Sequence, residues 1–220
     1  MLRPLFSWLL SFAVVPALVL TAVRLLLTPA FIQVEYRLPG FPPDPFDFST
    51  AERLYWADLS RQYLLRKAPR AALADQRLTD GRPLYSAREL RHLADVQRVV
   101  QGALKVWYAS LALLLASGLW AWRQGEIPFW RQALARGGWL TVAVVGAVMA
   151  FSVLSFDAFF VPFHWVFLEG RHTWLFRYSD TLIRLFPQRF WQDAFLWVGG
   201  LSLLGAWGLI RLHPKGPLAR

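Results

Sequence analysis

Four apolar stretches, each long enough to cross a lipid bilayer, leave this chain little choice of fold. A membrane-spanning helix needs about 20 mostly apolar residues. Only a helix satisfies every backbone N–H and C=O inside one isolated segment in lipid. Leu5 to Leu27 supplies the first stretch, with Arg24 as its only charge. Gly102 to Trp122 supplies the second, with Lys105 near its start; Gly137 to Phe156, the third, is uncharged. Ala194 to Ile210 is the fourth, bounded by Asp193 and Arg211. The first follows Arg3 in the manner of a signal peptide. Its apolar run is too long for one and no small-x-small cleavage site closes it, so it reads as an uncleaved anchor.

Composition points the same way. Apolar residues make up 56% and charged residues 17%, against roughly a quarter charged in an average globular chain. The balance of 24 Lys and Arg over 14 Asp and Glu gives a net charge of +10, but the basic residues lie mainly between apolar blocks. A nucleic-acid binder would gather them as a stripe on a polar domain, so no nucleic-acid partner is expected. The absence of cysteine excludes disulfides, thiolate metal sites and a cysteine nucleophile. Twelve Trp, 17 Phe and 6 Tyr suit the aromatic belts of membrane interfaces.

An even number of spans puts both termini on one side. The short pieces on that side hold Arg3, Arg123, Arg131, Arg136, Arg211, Lys215 and Arg220 against Glu126 alone. By the positive-inside rule these face the cytoplasm. The other pieces are basic too: 28–101 carries 11 Arg and Lys but is too long for the rule, and 158–192 carries four Arg. In 28–101, Ile32, Val34, Tyr36 and Leu38 alternate with polar residues, which predicts a strand. Ser49 with Glu52, and Ser86 with Glu89, are capping boxes that open helices. The first is expected to run to about Lys67, and the second to lead directly into the second span. The fold this predicts is an all-α integral membrane protein of four transmembrane helices with a small extracellular α+β cap. It is a single membrane domain over 1–220, with spans near 5–27, 102–122, 137–156 and 194–210 and a cap from 28–101 and 158–192.

Two of the four histidines stand where a reactive group would be useful. His92 lies in SARELRHLADV, and Glu89, His92 and Asp95 share one helical face by three-residue spacing. A carboxylate beside an imidazole fixes its tautomer and raises its basicity; a solvated charged stripe is the alternative reading of the same pattern. His164 lies just after the third span, among Phe159, Phe160, Phe163, Trp165 and Phe167. An ionisable group at membrane depth is a functional candidate, and an aromatic belt with an incidental histidine is the alternative. His172 has no comparable setting, and His213 falls in the tail. The chain has no HExxH, G-x-S-x-G, P-loop or dinucleotide fingerprint, and no tightly spaced metal ligands. These residues alone describe a capped four-span protein with two candidate histidines and stop short of a reaction.

The stretch FHWVFLEGRHTWLF, followed by SDTLIRLFPQRFWQD, resembles the Phe-His, Gly, Trp-x-Phe, Leu-Ile-x-Leu-Phe-Pro and Phe-aromatic-x-Asp pattern of the bacterial lipoprotein intramolecular transacylases. SARELRHLADV resembles that family's second histidine motif, Glu-x-x-His-x-x-Asp-Val. The motifs occur in the family's order and the likeness covers essentially the whole chain, departing at Trp165 and Glu169. What the resemblance implies is movement of the sn-2 acyl chain of a diacylglyceryl-modified lipoprotein to the α-amino group of its N-terminal cysteine, giving the lyso-form. The family's two catalytic histidines match His92 and His164 here, with Glu89 and Asp95 in support. Phe163, Trp165, Trp174 and Phe176 are the candidate chamber wall. The implied setting is the bacterial plasma membrane, multi-pass, with an extracellular active site, no cofactor or metal, membrane lipids and lipoproteins as partners, and a monomer. Two other classes remain: a metal-dependent membrane hydrolase using the same histidines, and a non-catalytic membrane scaffold.

Overall fold

The structure is a computed structural model that describes residues 2–155, 161, 162, 165 and 175–213. Among these the chain forms α1 (Leu2–Leu26), α2 (Pro29–Glu35), α3 (Thr50–Leu64), α4 (Ala71–Ala74), α5 (Ala87–Arg123), α6 (Ile127–Leu154), α7 (Thr181–Leu185) and α8 (Gln188–Ile210). Four of them, α1, α5, α6 and α8, are long and apolar enough to cross a membrane. The chain divides into two compact units. One comprises Met1–Arg24, Leu104–Leu154 and Leu196–Arg220; the other comprises Leu25–Ala103 and Ser155–Phe195.

The first, the span unit, is held by small residues and carries its large apolar side chains outside. A Cβ on Gly137 would lie 2.5 Å from Val14 Cβ and 2.7 Å from the Ser11 carbonyl oxygen, and one on Gly138 would lie 2.8 Å from the Ala206 carbonyl oxygen. This glycine pair on α6 is what lets the α1 and α8 backbones approach. Transmembrane helices lack a hydrophobic drive toward one another, so they rely on such close packing and on polar bridges. Ser11 Oγ donates to the Ala133 carbonyl at 2.9 Å, and Trp107 Nε1 donates to Thr21 Oγ1 at 2.9 Å. Leu115, Leu204 and Phe12, meanwhile, are more than half exposed, an outward apolar surface that lipid satisfies.

The second, the polar unit, departs from expectation. Of the strand predicted over Ile32–Leu38, residues 32–35 end the helix α2 and 36–38 form the turn after it; among the described residues there is no strand, only an isolated bridge between Arg77 and Pro83. The α+β cap is therefore corrected to a helical one. The cause is Pro29, which occupies the first turn, where its fixed φ is preorganised for a helix and its missing N–H costs nothing. The alternation concealed a second period. Ile32, Glu35 and Tyr36, spaced i, i+3 and i+4, are all buried, whereas Val34 is half exposed.

Both capping boxes form. Ser49 Oγ accepts from the Glu52 N–H while the Glu52 carboxylate takes the Ser49 N–H. α3 stops at Leu64, short of Lys67, in a Schellman-type turn: Lys67 N–H bonds the Gln62 carbonyl (2.8 Å) and Arg66 N–H the Tyr63 carbonyl (2.9 Å). Arg66 sits at φ 57° where glycine is the usual occupant, so no glycine marked this end. α5 opens at its capping box and continues unbroken for 37 residues.

Between α2 and α3 the proline-rich segment is pinned by two arginines. Arg53 stacks over Tyr36 and Phe41 at 5.0 and 5.2 Å and donates to the Pro42 carbonyl at 2.8 Å. Arg184, from α7, pairs with Asp44 at 2.8 Å and lies 3.2 Å over the Phe48 ring. The guanidiniums fill space that apolar side chains fill in an ordinary core.

Candidate active site

The first histidine is presented by the start of α5. Glu89 Oε2 accepts the Ser86 N–H at 2.7 Å and the Ser86 hydroxyl at 2.8 Å, and the Glu89 N–H returns to Ser86 Oγ at 3.3 Å. The other oxygen, Oε1, accepts the Leu182 N–H at 2.9 Å. One buried carboxylate thus caps α5 and holds the first turn of α7. Two further contacts run beside it. Thr181 Oγ1 donates to the Leu84 carbonyl. Arg88 pairs with Asp180 at 2.7 Å, and Asp180 also takes the Arg177 N–H at 2.8 Å. The two sequence motifs singled out above, SARELRHLADV and SDTLIRLFPQRFWQD, are therefore joined to each other in space.

His92 follows one helical turn after Arg88 and Glu89 and is half buried. Its imidazole meets the Phe176 ring edge-on, centroids 5.1 Å apart at 72°. The Arg88 guanidinium lies 4.9 Å from the same ring. Phe176 in turn packs against a core cluster that includes Tyr63, Leu84, Leu93 and Leu185, so the platform beneath the imidazole is fixed.

Of the residues expected at the site, His92 and Phe176 are together. The hydrogen bonds described for Glu89 run to Ser86 and Leu182, and Asp95 bonds Arg98 at 2.6 Å. Trp165 is exposed. His164, Phe163 and Trp174, together with His172, lie outside the described residues. Among the described residues no three His, Asp or Glu side chains gather as a metal would require.

Sequence reasoning missed two features. Arg88 and Asp180 are separated by 92 positions, and nothing local announces their pairing. Glu35 was hidden inside the misassigned strand. It is fully buried, and no N–H or hydroxyl of the described residues donates to either of its oxygens. Burial, and then the adjoining Asp193 carboxyl, push Glu35 up to about 7, opposed by Arg189. Asp193 itself pairs with Arg189.

Residues 7–191 match the model of the family described as lipoprotein intramolecular transacylase Lit. The chain belongs to this family. Lit proteins are membrane acyltransferases, and this one is a multi-pass membrane protein of that class. A relative in Aquifex aeolicus (strain VF5), an uncharacterized protein, is 29% identical over 183 residues, spanning 83% of this chain and 81% of its own. The in meso structure of the lipoprotein intramolecular transacylase Lit from Bacillus cereus superposes with a TM-score of 0.77 at 21% identity, covering 96% of this chain and 94% of that one. A histidine-to-arginine variant of the same enzyme gives 0.72 at 20% identity, covering 96% and 90%. At such identities the likeness is one of fold.

Proposed function

We propose that this Lit protein moves the sn-2 acyl chain of a diacylglyceryl-modified lipoprotein to the α-amino group of the same molecule's N-terminal cysteine, by general acid–base catalysis from His92 and His164. The observation that carries the reading is the junction of the two family motifs at the start of α5, with His92 held against Phe176. Within this reading, the α-amine, whose ordinary pKa of about 7.7–8 leaves much of it protonated at neutral pH, gives up a proton to His164. The freed amine attacks the ester carbon, forming the C–N bond, and its nitrogen passes the second proton it must lose to His92. The C–O bond to glycerol then breaks, and His92 returns a proton to the glyceryl oxygen. Nucleophile and leaving group belong to one substrate, so no acyl-enzyme and no outside reactant are needed. The aromatic chamber of Phe163, Trp165, Trp174 and Phe176 fixes the near-attack geometry that offsets the entropy of closing a medium-sized ring.

The termini face the cytoplasm, the site opens on the extracellular side, and the enzyme acts as a monomer. The test is fragmentation mass spectrometry of a synthetic diacylglyceryl lipopeptide incubated with purified enzyme. Isomerisation at constant mass is expected from the wild type. His92→Ala and His164→Ala should each lower turnover on the order of 10²–10⁴-fold, with the double variant little worse because groups acting as a unit are not additive. A folded His164→Ala enzyme working near the wild-type rate would overturn the two-histidine mechanism.

A further inference from the structure

The transfer passes through a tetrahedral intermediate whose oxygen carries a full negative charge, and donors aimed at that charge are commonly the largest single contribution to such catalysis. The geometry points to Arg88 as that donor: its guanidinium binds the former ester carbonyl oxygen as it becomes an oxyanion. The inference rests on the transacylase reading above and names a group that reading left unassigned.

Three observations converge on it. Arg88 precedes His92 by four residues on α5, a spacing that sets side chains on one face with Cβ atoms about 5–6 Å apart. The guanidinium and the imidazole both bear on Phe176, at 4.9 and 5.1 Å. A charge and a proton-transfer group thus share one apolar platform. Second, the guanidinium is anchored without being used up. Among the described residues its hydrogen-bond partner is Asp180, reached through Nη2 at 2.7 Å. A guanidinium has five N–H donors, so most remain for a ligand. Third, it is accessible, with 41% of the side chain exposed, whereas the pairing arginine of α7, Arg184, has only 8%. Asp180 is itself held by the Arg177 N–H at 2.8 Å, so the charge is presented from a fixed mount. A preorganised donor of this kind needs no reorientation when the oxyanion forms.

In the step, the amine nitrogen bonds to the acyl carbon and the carbonyl π pair moves onto oxygen, where Arg88 N–H groups receive it. The pair then returns, expelling the glyceryl oxygen, which leaves with the proton that His92 supplies. Arg88 gains and loses no proton.

The experiment uses the full-length enzyme in detergent micelles with the diacylglyceryl lipopeptide, comparing wild type, Arg88→Ala, Arg88→Lys and Asp180→Asn, each checked for its thermal midpoint. Removal of one oxyanion donor costs on the order of 10²–10³ in kcat. Arg88→Ala should lose that much with KM within about threefold, and millimolar guanidinium should restore part of the loss. Arg88→Lys should retain more rate than Arg88→Ala, and Asp180→Asn should be milder than both. A folded Arg88→Ala enzyme with wild-type kcat overturns the proposal. So does a loss confined to KM, or a loss that guanidinium does not relieve and Asp180→Asn reproduces, since that pattern belongs to a structural tether. If the wild type itself fails to isomerise the lipopeptide, the transacylase reading falls and takes this inference with it. Conversion by wild type and Arg88→Ala alike removes Arg88 alone.

Discussion

The two units of this protein solve the packing problem with opposite materials. In the span unit the contacts are made by what is missing: Gly137 and Gly138 let backbones meet, and Ser11 and Thr21 bridge neighbours. In the polar unit they are made by large charged groups taken inside: Arg53 between two aromatic rings, Arg184 on Phe48 and Asp44, Glu89 across two helices. The difference follows from solvent. Lipid satisfies large apolar side chains, so the span unit can leave Leu115, Leu204 and Phe12 facing outward while small residues make the close helix contacts. The polar unit buries two apolar clusters of its own, around Leu73, Leu84 and Leu185 and around Ile32, Tyr36 and Phe190, and arginine stems and faces fill the space around its proline-rich segment.

On that contrast, the largest stability effect comes from breaking a buried ion pair. Arg184→Ala leaves Asp44, whose side chain is fully buried, without its cation, and such removals cost about 3–5 kcal/mol. Hydrogen exchange should rise sharply in residues 41–48 while α1 and α6 stay protected. The double change Arg184→Leu with Asp44→Leu should recover much of the loss, since replacing both partners of a buried pair is often neutral. Equal deprotection of the spans would erase the contrast.

Next comes overpacking of the span unit. Gly137→Val places a Cβ where Val14 Cβ already stands 2.5 Å away, and overpacking costs about 1–3 kcal/mol, occasionally more. The thermal midpoint in detergent should fall, and a Val14→Ala change added to it should restore part of the difference. An unchanged midpoint would mean that close backbone approach does not hold these helices.

The smallest effect, and the sharpest in sign, concerns Glu35. Its carboxyl is raised from 4.5 to about 7 by burial and by Asp193. The native state therefore keeps a proton that the unfolded chain has lost. Stability falls as pH rises from about 4.5 through 7, and the full cost is expressed above 7. Glu35→Gln, which keeps the shape without the charge, should stabilise the protein at pH 8 and leave it unchanged near pH 4. A midpoint difference independent of pH would show that Glu35 does not hold its proton.

These charges also explain what was legible beforehand. The spans and both capping boxes are local patterns: an apolar run, or Ser followed three residues later by Glu. Family membership was legible too, because its motifs are contiguous. What failed was either ambiguous or long-range. The segment after Thr28 alternates over a few residues yet also has Ile32, Glu35 and Tyr36 at helical spacing, and Pro29 decided between them. The end of α3 was missed because an arginine, not a glycine, took the left-handed position. Glu89 shares a helical face with His92, which the spacing showed; that it also bonds a backbone N–H 93 residues away, no local pattern could show. Arg88 drew no notice, because a salt bridge and a shared ring belong to the fold and to no motif.

Glu89 has a last consequence, for how the protein is made. Its Oε1 waits for Leu182, just as Leu84 waits for Thr181, Asp44 for Arg184 and the Tyr36 hydroxyl for the Leu185 carbonyl. Every one of these partners follows α5 and α6 in the sequence. The polar unit thus remains unfinished through two membrane insertions. It can close only if α5 and α6 cross in opposite directions and return the chain to the compartment where residues 25–103 already stand. Correct closure thus depends on topology: a chain that inserts one helix too few or too many leaves Glu89 and Asp44 without these partners.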